Sequence, residues 1–265
     1  MSGPKVKWLS PGKIATAIEK CSWQLRCSMD LKENGIPLAV NWPMLGGRAL
    51  HKAVELALKK VQAGEALPPT DQMTDWVSAQ WKKEIADCER KAEPIQGDES
   101  PKEVLAGMLA LAPLVREQVL TKLNPNRVEE SFKVPVVRDG ESVLIWGQLD
   151  YEDKNGKILD WKTTKKVNPS ANKKDIQMMS YGWWQHKTQK VEIPRIWKIF
   201  FVWAGEPHIE FSDKFEILPT DREYFEACAV KVWRMTQDDS YTKTTDWWGC
   251  KSRWCNFYAV CQGGE

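Results

Sequence analysis

The chain lacks the short motifs that mark several large enzyme classes. It contains no G-x-x-x-x-G-K-[ST] phosphate loop, no G-x-G-x-x-G fingerprint after a strand and no G-x-S-x-G elbow. These absences argue against ATP hydrolysis, dinucleotide binding and a serine nucleophile of the α/β-hydrolase type.

The chain also lacks a charge excess and a long apolar run. Its 38 Lys and Arg nearly balance its 36 Asp and Glu, so any affinity for nucleic acid must be local. The longest apolar stretch, 104–115, contains Gly107 and Pro113 and is too short to span a bilayer. Because residues 1–8 contain no apolar signal segment, we expect a cytoplasmic protein with reduced thiols and no membrane association.

The elements that are present predict one elaborated α/β domain. With 265 residues and 42% apolar content, the chain can bury a full core. Caps, periodicity and turn residues predict helices over 10–31, 47–63, 71–91, 101–122, 173–187 and 220–237. They predict strands over 128–137, 142–151, 157–163, 195–203 and 207–215, with Pro135 favouring an edge position for the first strand.

The most informative segment is a predicted hairpin that carries Asp150 and Asp160. A two-residue turn at Asn155-Gly156 would place the two aspartates on opposite faces of the sheet. A three-residue loop, 154–156, with Gly156 in the left-handed conformation pairs Asp153 with Lys157 and places Asp150 across from Asp160. We predict the three-residue loop, which brings two oxygen ligands together for a hard divalent cation.

A plainer interpretation of this hairpin is an exposed ribbon with a solvated charged face. Against it, the nearly continuous apolar run 143–149 is typical of a strand covered on both sides, and Asp150 ends that run. A carboxylate in such a place needs a partner.

Further motifs follow the same order along the chain as in a known nuclease family. They are Leu9-Ser10-Pro11 opening a helix that carries Cys21, Gly47-x-x-x-His51-x-x-x-Glu55, Gly147-x-x-Asp150, Asp160-x-Lys162, Gln177-x-x-x-Tyr181, and Cys250 with Trp254-Cys255-x-Phe257-Tyr258-x-x-Cys261. Together they resemble the RecB-like branch of the PD-(D/E)XK nuclease superfamily, which includes CRISPR-associated adaptation nucleases and phage recombination exonucleases.

The resemblance implies a restriction-endonuclease-like core, which is a mixed central sheet flanked by helices. Within a single domain over 1–265, the N-terminal helices with Cys21 and His51 would occupy 1–65. A helical insert over the site would occupy 66–125, the catalytic core 126–240 and a cysteine-bearing tail 241–265.

The resemblance also implies the site residues. His51, Asp150, Asp160 and the backbone carbonyl of Trp161 would hold Mg²⁺ or Mn²⁺. Lys162 would orient or activate the attacking water. Gln177 and Tyr181, one helical turn apart, would position the substrate or the lysine. Leu149 stands where the superfamily's name motif has proline, but G-x-x-D is usual in the RecB-like branch.

His51 has a second interpretation, as a residue that merely flanks the apolar stripe of its helix. Its spacing from Glu55, at i and i+4, favours a ligand whose ring has Glu55 as a hydrogen-bond acceptor.

The resemblance joins Cys21 to Cys250, Cys255 and Cys261 as ligands of a four-iron four-sulfur cluster that ties the chain ends together. Relatives usually have two residues between the first two tail cysteines, whereas four stand here, a spacing that still permits ligation. Zinc in a four-cysteine site and plain core thiols are the alternatives. We interpret Cys27, Cys88 and Cys228 as structural.

A local basic run follows the second aspartate. Residues 162–174 contain five lysines and no acid, and Lys165, Lys166, Lys173 and Lys174 are candidate phosphate contacts. A solvated loop is the alternative. One or two of the fifteen tryptophans near the site could stack on unpaired bases.

Taken with the resemblance, these features predict a Mg²⁺- or Mn²⁺-dependent deoxyribonuclease, an exonuclease acting on DNA ends or single strands in recombination, repair or processing. A recombinase, a helicase or a CRISPR adaptation protein would be its partner. The alternative is a non-catalytic protein that binds DNA ends and is stabilised by a cluster or zinc. A third possibility is RNA or an RNA–DNA hybrid as substrate.

Overall fold

The computed structural model describes residues 7–36, 38–168 and 173–243, together with Phe257 and Cys261. Its elements, in chain order, are α1 (Pro11–Ala15), a π-helical segment (Thr16–Cys21), α2 (Ser22–Glu33), β1 (Val40–Asn41), α3 (Trp42–Gln62), α4 (Thr70–Lys91), β2 (Ile95–Gln96), α5 (Pro101–Gln118), a 3₁₀ turn (Leu120–Lys122), β3 (Pro125–Arg138), β4 (Glu141–Asp153), β5 (Ile158–Thr164), α6 (Ile176–Gln189), β6 (Arg195–Val202), β7 (His208–Phe211), β8 (Phe215–Glu216) and α7 (Pro219–Asp238).

Six of the described strands form one mixed sheet. Its order is β3-β4-β5-β6-β7, and β8 pairs with the start of β6. Only the β5–β6 pair is parallel, and α6 supplies the crossover that a parallel pair requires. The predicted mixed α/β architecture is confirmed, and β3, which contains Pro135, lies at an edge as expected.

Two cores cover the two faces of the sheet. Helices α3, α4 and α5 pack over one face, which includes Leu159 and Trp161 of β5. Helices α1, α6 and α7 pack over the other face, which includes Ile158 of β5. Since successive side chains of a strand point to opposite faces, β5 contributes to both cores. Its polar residues Asp160 and Lys162 lie on the same face as Ile158, the face that α6 covers.

The first helix is interrupted. Ser10 caps it as predicted, because its hydroxyl accepts from Lys13 N at 3.2 Å. The single helix expected over 10–31 is instead two α-helices joined by the π-helical segment Thr16–Cys21. Such widened turns interrupt α-helices, often at functional positions.

Helix α3 begins earlier than predicted. Asn41 caps it by accepting from Met44 N at 2.8 Å, so the helix starts at Trp42 and not near Gly47. Gly46 then lies inside the helix, where a Cβ would come within 2.7 Å of Val104. This glycine allows α3 and α5 to approach closely. In the sequence, the Gly46-Gly47 pair is interpreted as the start of the helix, so this packing role was not predicted.

Helix α5 with its 3₁₀ turn, Pro101–Lys122, is long and apolar enough to cross a bilayer by length and composition. The expectation that it is too short considered only the unbroken run 104–115. The structure places it in the core, where five side chains are fully buried: Val104, Met108, Leu111, Ala112 and Val115.

The last predicted strand, 207–215, is two strands. The break is at Ser212, whose hydroxyl accepts from Lys198 N at 2.8 Å and whose own N donates to Lys198 O at 3.0 Å. A side chain thus replaces one hydrogen bond of the regular ladder.

Candidate active site

The β4–β5 hairpin has the predicted register. Tyr151 pairs with Leu159 and Glu152 with Ile158, and the same register continued places Asp150 opposite Asp160. Asp153 N donates to Lys157 O at 2.9 Å, and Gly156 has φ 76°. The three-residue loop is therefore confirmed, and the two-residue turn is excluded.

Asp160 is 1% exposed and faces a lysine. Lys162 Nζ donates to its Oδ1 at 3.1 Å and lies 2.9 Å from its Oδ2. The shorter contact lacks hydrogen-bond geometry, so Oδ2 is a buried carboxylate oxygen without a hydrogen bond from the described residues. A buried oxygen of this kind is available to a cation.

Asp150 is anchored by the neighbouring strand. Its Oδ2 accepts from Trp161 N at 2.7 Å. Burial, and then the charge of Asp160, raise the pKa of Asp150 well above its usual value. Burial also raises the pKa of Asp160, against the opposing effect of Lys162. Two desolvated carboxylates, of which Asp160 raises the proton affinity of Asp150, are a pair that a divalent cation stabilises.

Lys162 belongs to a closed hydrogen-bonded ring. Its Nζ donates to Gln177 Oε1 at 2.9 Å, Gln177 Nε2 donates to Tyr181 OH at 2.6 Å, and Tyr181 OH donates to Asp160 Oδ1 at 3.4 Å. Burial alone would lower the pKa of Lys162, but Asp160 and Asp150 outweigh it and raise that pKa. The lysine is thus held as an ammonium ion beside Asp160.

The start of α6, which carries Gln177 and Tyr181, is fixed from several directions. Asp175 caps it by accepting from Met178 N at 2.9 Å, and Glu19 of the π-helical segment accepts from Ile176 N at 2.9 Å. Lys198 Nζ lies 2.7 Å from Asp175 Oδ2. The ring therefore rests on the cap of α6 itself and on contacts from two distant parts of the chain, the π-helical segment and β6.

His51 and Asp150 line one cavity of about 620 Å³ between the hairpin and helices α3 and α4, which we call the active-site cavity. Its wall also includes Trp161, Lys162, Lys52, Glu55, Gln80, Glu84 and Glu129. Of these residues, Gln80 and Glu84 belong to α4.

The His51 ring packs edge-on against Phe201, with centroids 6.4 Å apart. Burial, and then the charge of Lys162, lower the pKa of His51 to about 4. The imidazole is therefore neutral at neutral pH, the form that ligates metals. The described residues offer no hydrogen bond to its nitrogens.

The expected contact between Glu55 and His51 is wrong. Glu55 instead accepts from Lys52 and Lys59, both at 2.7 Å. On a helix the neighbours at i−3 and i+4 are equally close, and two ammonium groups are stronger partners for a carboxylate than a neutral ring.

In the described part of the chain, no group of three or more His, Cys, Asp or Glu side chains is already arranged to hold a metal ion. His51 and Asp150 share the active-site cavity, whereas Asp160 is engaged by Lys162 and Tyr181. The oxygen donors still fit a hard cation such as Mg²⁺ or Mn²⁺, because Asp160 Oδ2 is buried without a hydrogen bond from the described residues and the partly buried Asp150 lines the active-site cavity beside it.

Two lysines of the basic run are paired with acidic side chains, which the sequence did not predict. Lys165 pairs with Glu99 at 2.7 Å, and Lys174 pairs with Asp221 at 2.6 Å. Lys166 and Lys173 line a second cavity, of about 480 Å³, which Lys162 also borders. The acids that neutralise these two of the four candidate lysines come from distant segments. Residues 169–172, in the middle of the run, lie outside the described residues.

Sequence reasoning missed Glu129. It has the left-handed backbone φ of 52° within β3, lines the active-site cavity and accepts from Gln148 Nε2 at 2.7 Å. Burial, and then the charge of Glu55, raise the pKa of Glu129 to about 7. A left-handed non-glycine residue within a strand is strained, which sequence alone does not show.

Sequence reasoning also missed Lys198. This lysine is the strand partner of Asp160 on β6, is 4% exposed, and donates to Lys173 O at 3.0 Å in addition to its pair with Asp175. A lysine inside the apolar segment 196–202 was the available signal, since a buried charge requires a partner.

The cysteine prediction falls largely outside the described residues, because Cys250 and Cys255 lie there. Cys21 is buried, and its Sγ lies 3.8 Å from Thr242 O. Thr242 N also donates to Ser22 Oγ at 2.8 Å, so residues just before the tail do contact the first helix. Cys27, Cys88 and Cys228 are buried thiols, as expected of structural residues.

Paired buried carboxylates beside a fixed ammonium, on the strands of a mixed sheet, define a candidate hydrolytic site for phosphodiesters. The sequence model of the PD-(D/E)XK nuclease superfamily matches residues 9–262, and the chain belongs to this superfamily. Its members are metal-dependent nucleases that usually use Mg²⁺ or Mn²⁺ and act on DNA.

The chain was also compared with curated proteins and with solved structures. No curated protein matches the chain. Seven chains of solved structures match. One is the crystal structure of SSO0001, which is 18% identical with a TM-score of 0.37 over 71% of this chain and 81% of that chain.

Proposed function

We propose that the protein is a Mg²⁺- or Mn²⁺-dependent deoxyribonuclease of the RecB-like branch, and that it acts as an exonuclease in prokaryotic or phage recombination, repair or DNA processing. One observation carries the proposal. The ring of Asp160, Lys162, Gln177 and Tyr181 fixes an ammonium group beside the carboxylates of Asp160 and Asp150, and it leaves Asp160 Oδ2 buried without a hydrogen bond from the described residues.

The metal-holding residues would be Asp150, Asp160 and His51, with the carbonyl of Trp161. A divalent cation bound there lowers the pKa of a water molecule and stabilises negative charge on phosphate oxygens. The protein contributes a neutral imidazole at His51 and two carboxylates whose burial strengthens their attraction to a cation.

Lys162 would act on the substrate directly. Its charge offsets that of the phosphate as negative charge builds on the oxygens, and its Nζ can donate a hydrogen bond to the attacking water. Gln177 and Tyr181 hold the lysine in place, because Gln177 Oε1 fixes Nζ and Tyr181 OH fixes the amide of Gln177. A positioned donor costs little reorganisation when the reaction occurs.

The tail cysteines would form a structural metal centre. Cys21, Cys250, Cys255 and Cys261 are proposed to bind a four-iron four-sulfur cluster, with zinc as the alternative metal. The contacts of Thr242 with Cys21 and Ser22 support this, because they bring the chain that leads into the tail next to Cys21. Thiolates joining the first helix to the tail would lock that arrangement.

The decisive experiment uses linear DNA labelled at one end, single-stranded or double-stranded, and a circular single strand. Each is incubated with the protein in Mg²⁺, Mn²⁺ or EDTA. We expect metal-dependent release of short labelled products from a linear substrate and an intact circle. Cutting of the circle would mean an endonuclease.

Binding of DNA ends without cleavage in either metal would instead identify the accessory protein. Cleavage of RNA or an RNA–DNA hybrid in preference to DNA would replace the assigned substrate.

A further inference from the structure

A third cavity, of about 770 Å³, lies between the first helix and β4, away from the carboxylates. We call it the tryptophan groove, because Trp8 and Trp146 line it, together with Lys7, Lys13 and Lys32. None of the described residues that line it is acidic. Apolar side chains of α2 complete its floor.

The two rings are held in a defined arrangement. Their centroids are 5.0 Å apart with an interplanar angle of 65°, and both side chains are half-buried. Leu9 fixes this geometry, because its N donates to Leu144 O and its O accepts from Trp146 N, each at 2.9 Å. The backbone beside Trp8 is thus hydrogen-bonded to the strand that carries Trp146, which limits the freedom of both rings.

The lysines of the groove have no acidic partner among the described residues. Lys13 Nζ lies 4.2 Å from the centroid of the Trp8 ring. Burial, and then the charge of Lys32, lower the pKa of Lys13. None of Lys7, Lys13 and Lys32 forms an ion pair with a described residue, unlike Lys165 and Lys174 of the basic run. An anion in the groove would relieve the repulsion between Lys13 and Lys32.

Strand β4 contributes to both cavities, with Trp146 in the tryptophan groove and Asp150 in the active-site cavity. Trp146 and Gln148 are two residues apart and point to the same face, and the strand alternates with buried Ile145 and Leu149. Gln148 in turn contacts Glu129, which lines the active-site cavity with Asp150. Trp146 and Asp150 are four residue steps apart along the strand, about 13 Å at roughly 3.3 Å per residue.

We propose that the tryptophan groove binds single-stranded DNA that continues from the active site, with bases stacked on Trp8 and Trp146 and phosphates contacted by Lys7, Lys13 and Lys32. The proposal rests on the proposed nuclease function and names the form of its substrate. Aromatic side chains stack on unpaired bases, because the faces of paired bases are covered by neighbouring base pairs in a duplex. A spacing of about 13 Å accommodates on the order of four stacked nucleotides at ~3.4 Å each.

The test measures binding in EDTA, where no metal-dependent cleavage occurs. The probe is a fluorescein-labelled twelve-residue oligothymidylate, followed by fluorescence anisotropy. The comparison probes are a strand with the same backbone but abasic residues, and a blunt duplex. Poly-glutamate, an anionic polymer without bases, is used as a competitor. The wild type should bind the oligothymidylate at least about five-fold more tightly than the abasic strand, as expected for stacking of one or more bases.

The variants separate stacking from charge. Trp8→Ala should weaken binding of oligothymidylate by about five-fold or more and leave its salt dependence unchanged, whereas Trp8→Phe should retain most of the affinity. Lys13→Gln and Lys32→Gln should each reduce the slope of log affinity against log salt by about 0.7, the value for one phosphate contact with a single strand. Lys231→Gln, an exposed lysine on α7, is the matched control and should bind like the wild type.

Equal binding of the abasic strand, or displacement by poly-glutamate as effective as by oligothymidylate, would overturn the proposal in favour of a general anion surface. Preferential binding of the duplex would also overturn it, as would unaltered salt slopes in both lysine variants. The lysine variants keep the test decisive if Trp8→Ala fails to fold. Because binding is measured without metal, its failure is distinct from a failure of the wild type to cleave DNA, which would overturn the proposed nuclease function.

Discussion

Lys162 and Gln177 are joined by a hydrogen bond of 2.9 Å from Nζ to Oε1, across the interface between β5 and α6. The bond is one side of the ring that also includes Tyr181 and Asp160. It means that the position of the ammonium group depends on where α6 begins. The position of Lys162 on β5 therefore depends on α6, a helix that contributes none of the proposed metal ligands.

The first prediction concerns the charged pair of β5. Asp160→Asn and Lys162→Ala should each lower the rate of DNA cleavage by at least about 100-fold, because the first removes a charged oxygen ligand of the metal and the second removes the ammonium group that offsets the developing phosphate charge. Single-turnover cleavage of end-labelled DNA in Mg²⁺ measures the effect. Asp213→Asn, on an exposed loop, is the matched control and should cleave like the wild type. Cleavage at the wild-type rate by both site variants would remove these residues from the mechanism.

The second prediction concerns the residues that hold the lysine. Gln177→Ala should reduce kcat by about 10-fold or more with little change in KM, since a hydrogen bond to a charged group contributes about 1.5–3 kcal/mol. Tyr181→Phe should reduce it less, because Tyr181 does not contact Lys162 itself and acts on it through Gln177 and Asp160. Steady-state kinetics on single-stranded DNA provides the measurement. A rise in KM at unchanged kcat would show instead that Gln177 contacts the substrate.

The third prediction links Asp150 to stability. The pKa of Asp150 is higher in the folded protein than in the unfolded chain. The protonated carboxyl therefore contributes its full stability to the fold at a pH below the pKa of the unfolded chain. This contribution is lost as the pH rises through the pKa of the folded protein. Asp150→Asn should therefore raise the Tm of the metal-free protein at neutral pH, on a scale of roughly 2–4 °C per kcal/mol.

Differential scanning calorimetry in EDTA and in Mn²⁺ checks this expectation. Mn²⁺ should raise the Tm of the wild type, because it binds only the folded state, and should raise that of Asp150→Asn less. A lower metal-free Tm for the variant, or an equal increase with Mn²⁺, contradicts a cation site at Asp150.

The fourth prediction concerns His51. Because its pKa is lowered to about 4, its ring is neutral throughout the neutral pH range and can ligate a metal without first losing a proton. His51→Ala should reduce cleavage less than Asp160→Asn does and shift the metal preference towards Mn²⁺. The ratio of rates in Mn²⁺ and Mg²⁺ is the measurement, with the exposed His208→Ala as control. An unchanged ratio would show that His51 is not a ligand.

The fifth prediction concerns the tail. Protein purified without oxygen should be brown and absorb broadly near about 400 nm, as expected for thiolate-ligated iron. Cys255→Ser should bleach this band and lower the Tm, whereas Cys88→Ser, a buried thiol on α4, should keep the colour. A colourless protein with one equivalent of zinc favours the zinc site. With neither metal, the tail cysteines are core thiols.

The sequence by itself determined the local geometry of the hairpin. The length of the loop before Lys157 and the single glycine at 156 set the register, because loop length and turn conformation depend only on neighbouring residues. Likewise, the spacing of Gln177 and Tyr181 at i and i+4 required that both lie on one side of a helix. The order of elements followed from similar short-range signals.

Only the tertiary structure decided which charges meet. Glu99 and Asp221 neutralise Lys165 and Lys174, and the positive φ of Glu129 brings a further carboxylate to the active-site cavity. Glu55, assigned to His51 by spacing, pairs with lysines on its own helix. These contacts join segments far apart in the chain or choose among equally spaced neighbours. They depend on the packing of whole helices against the sheet, which no local pattern encodes.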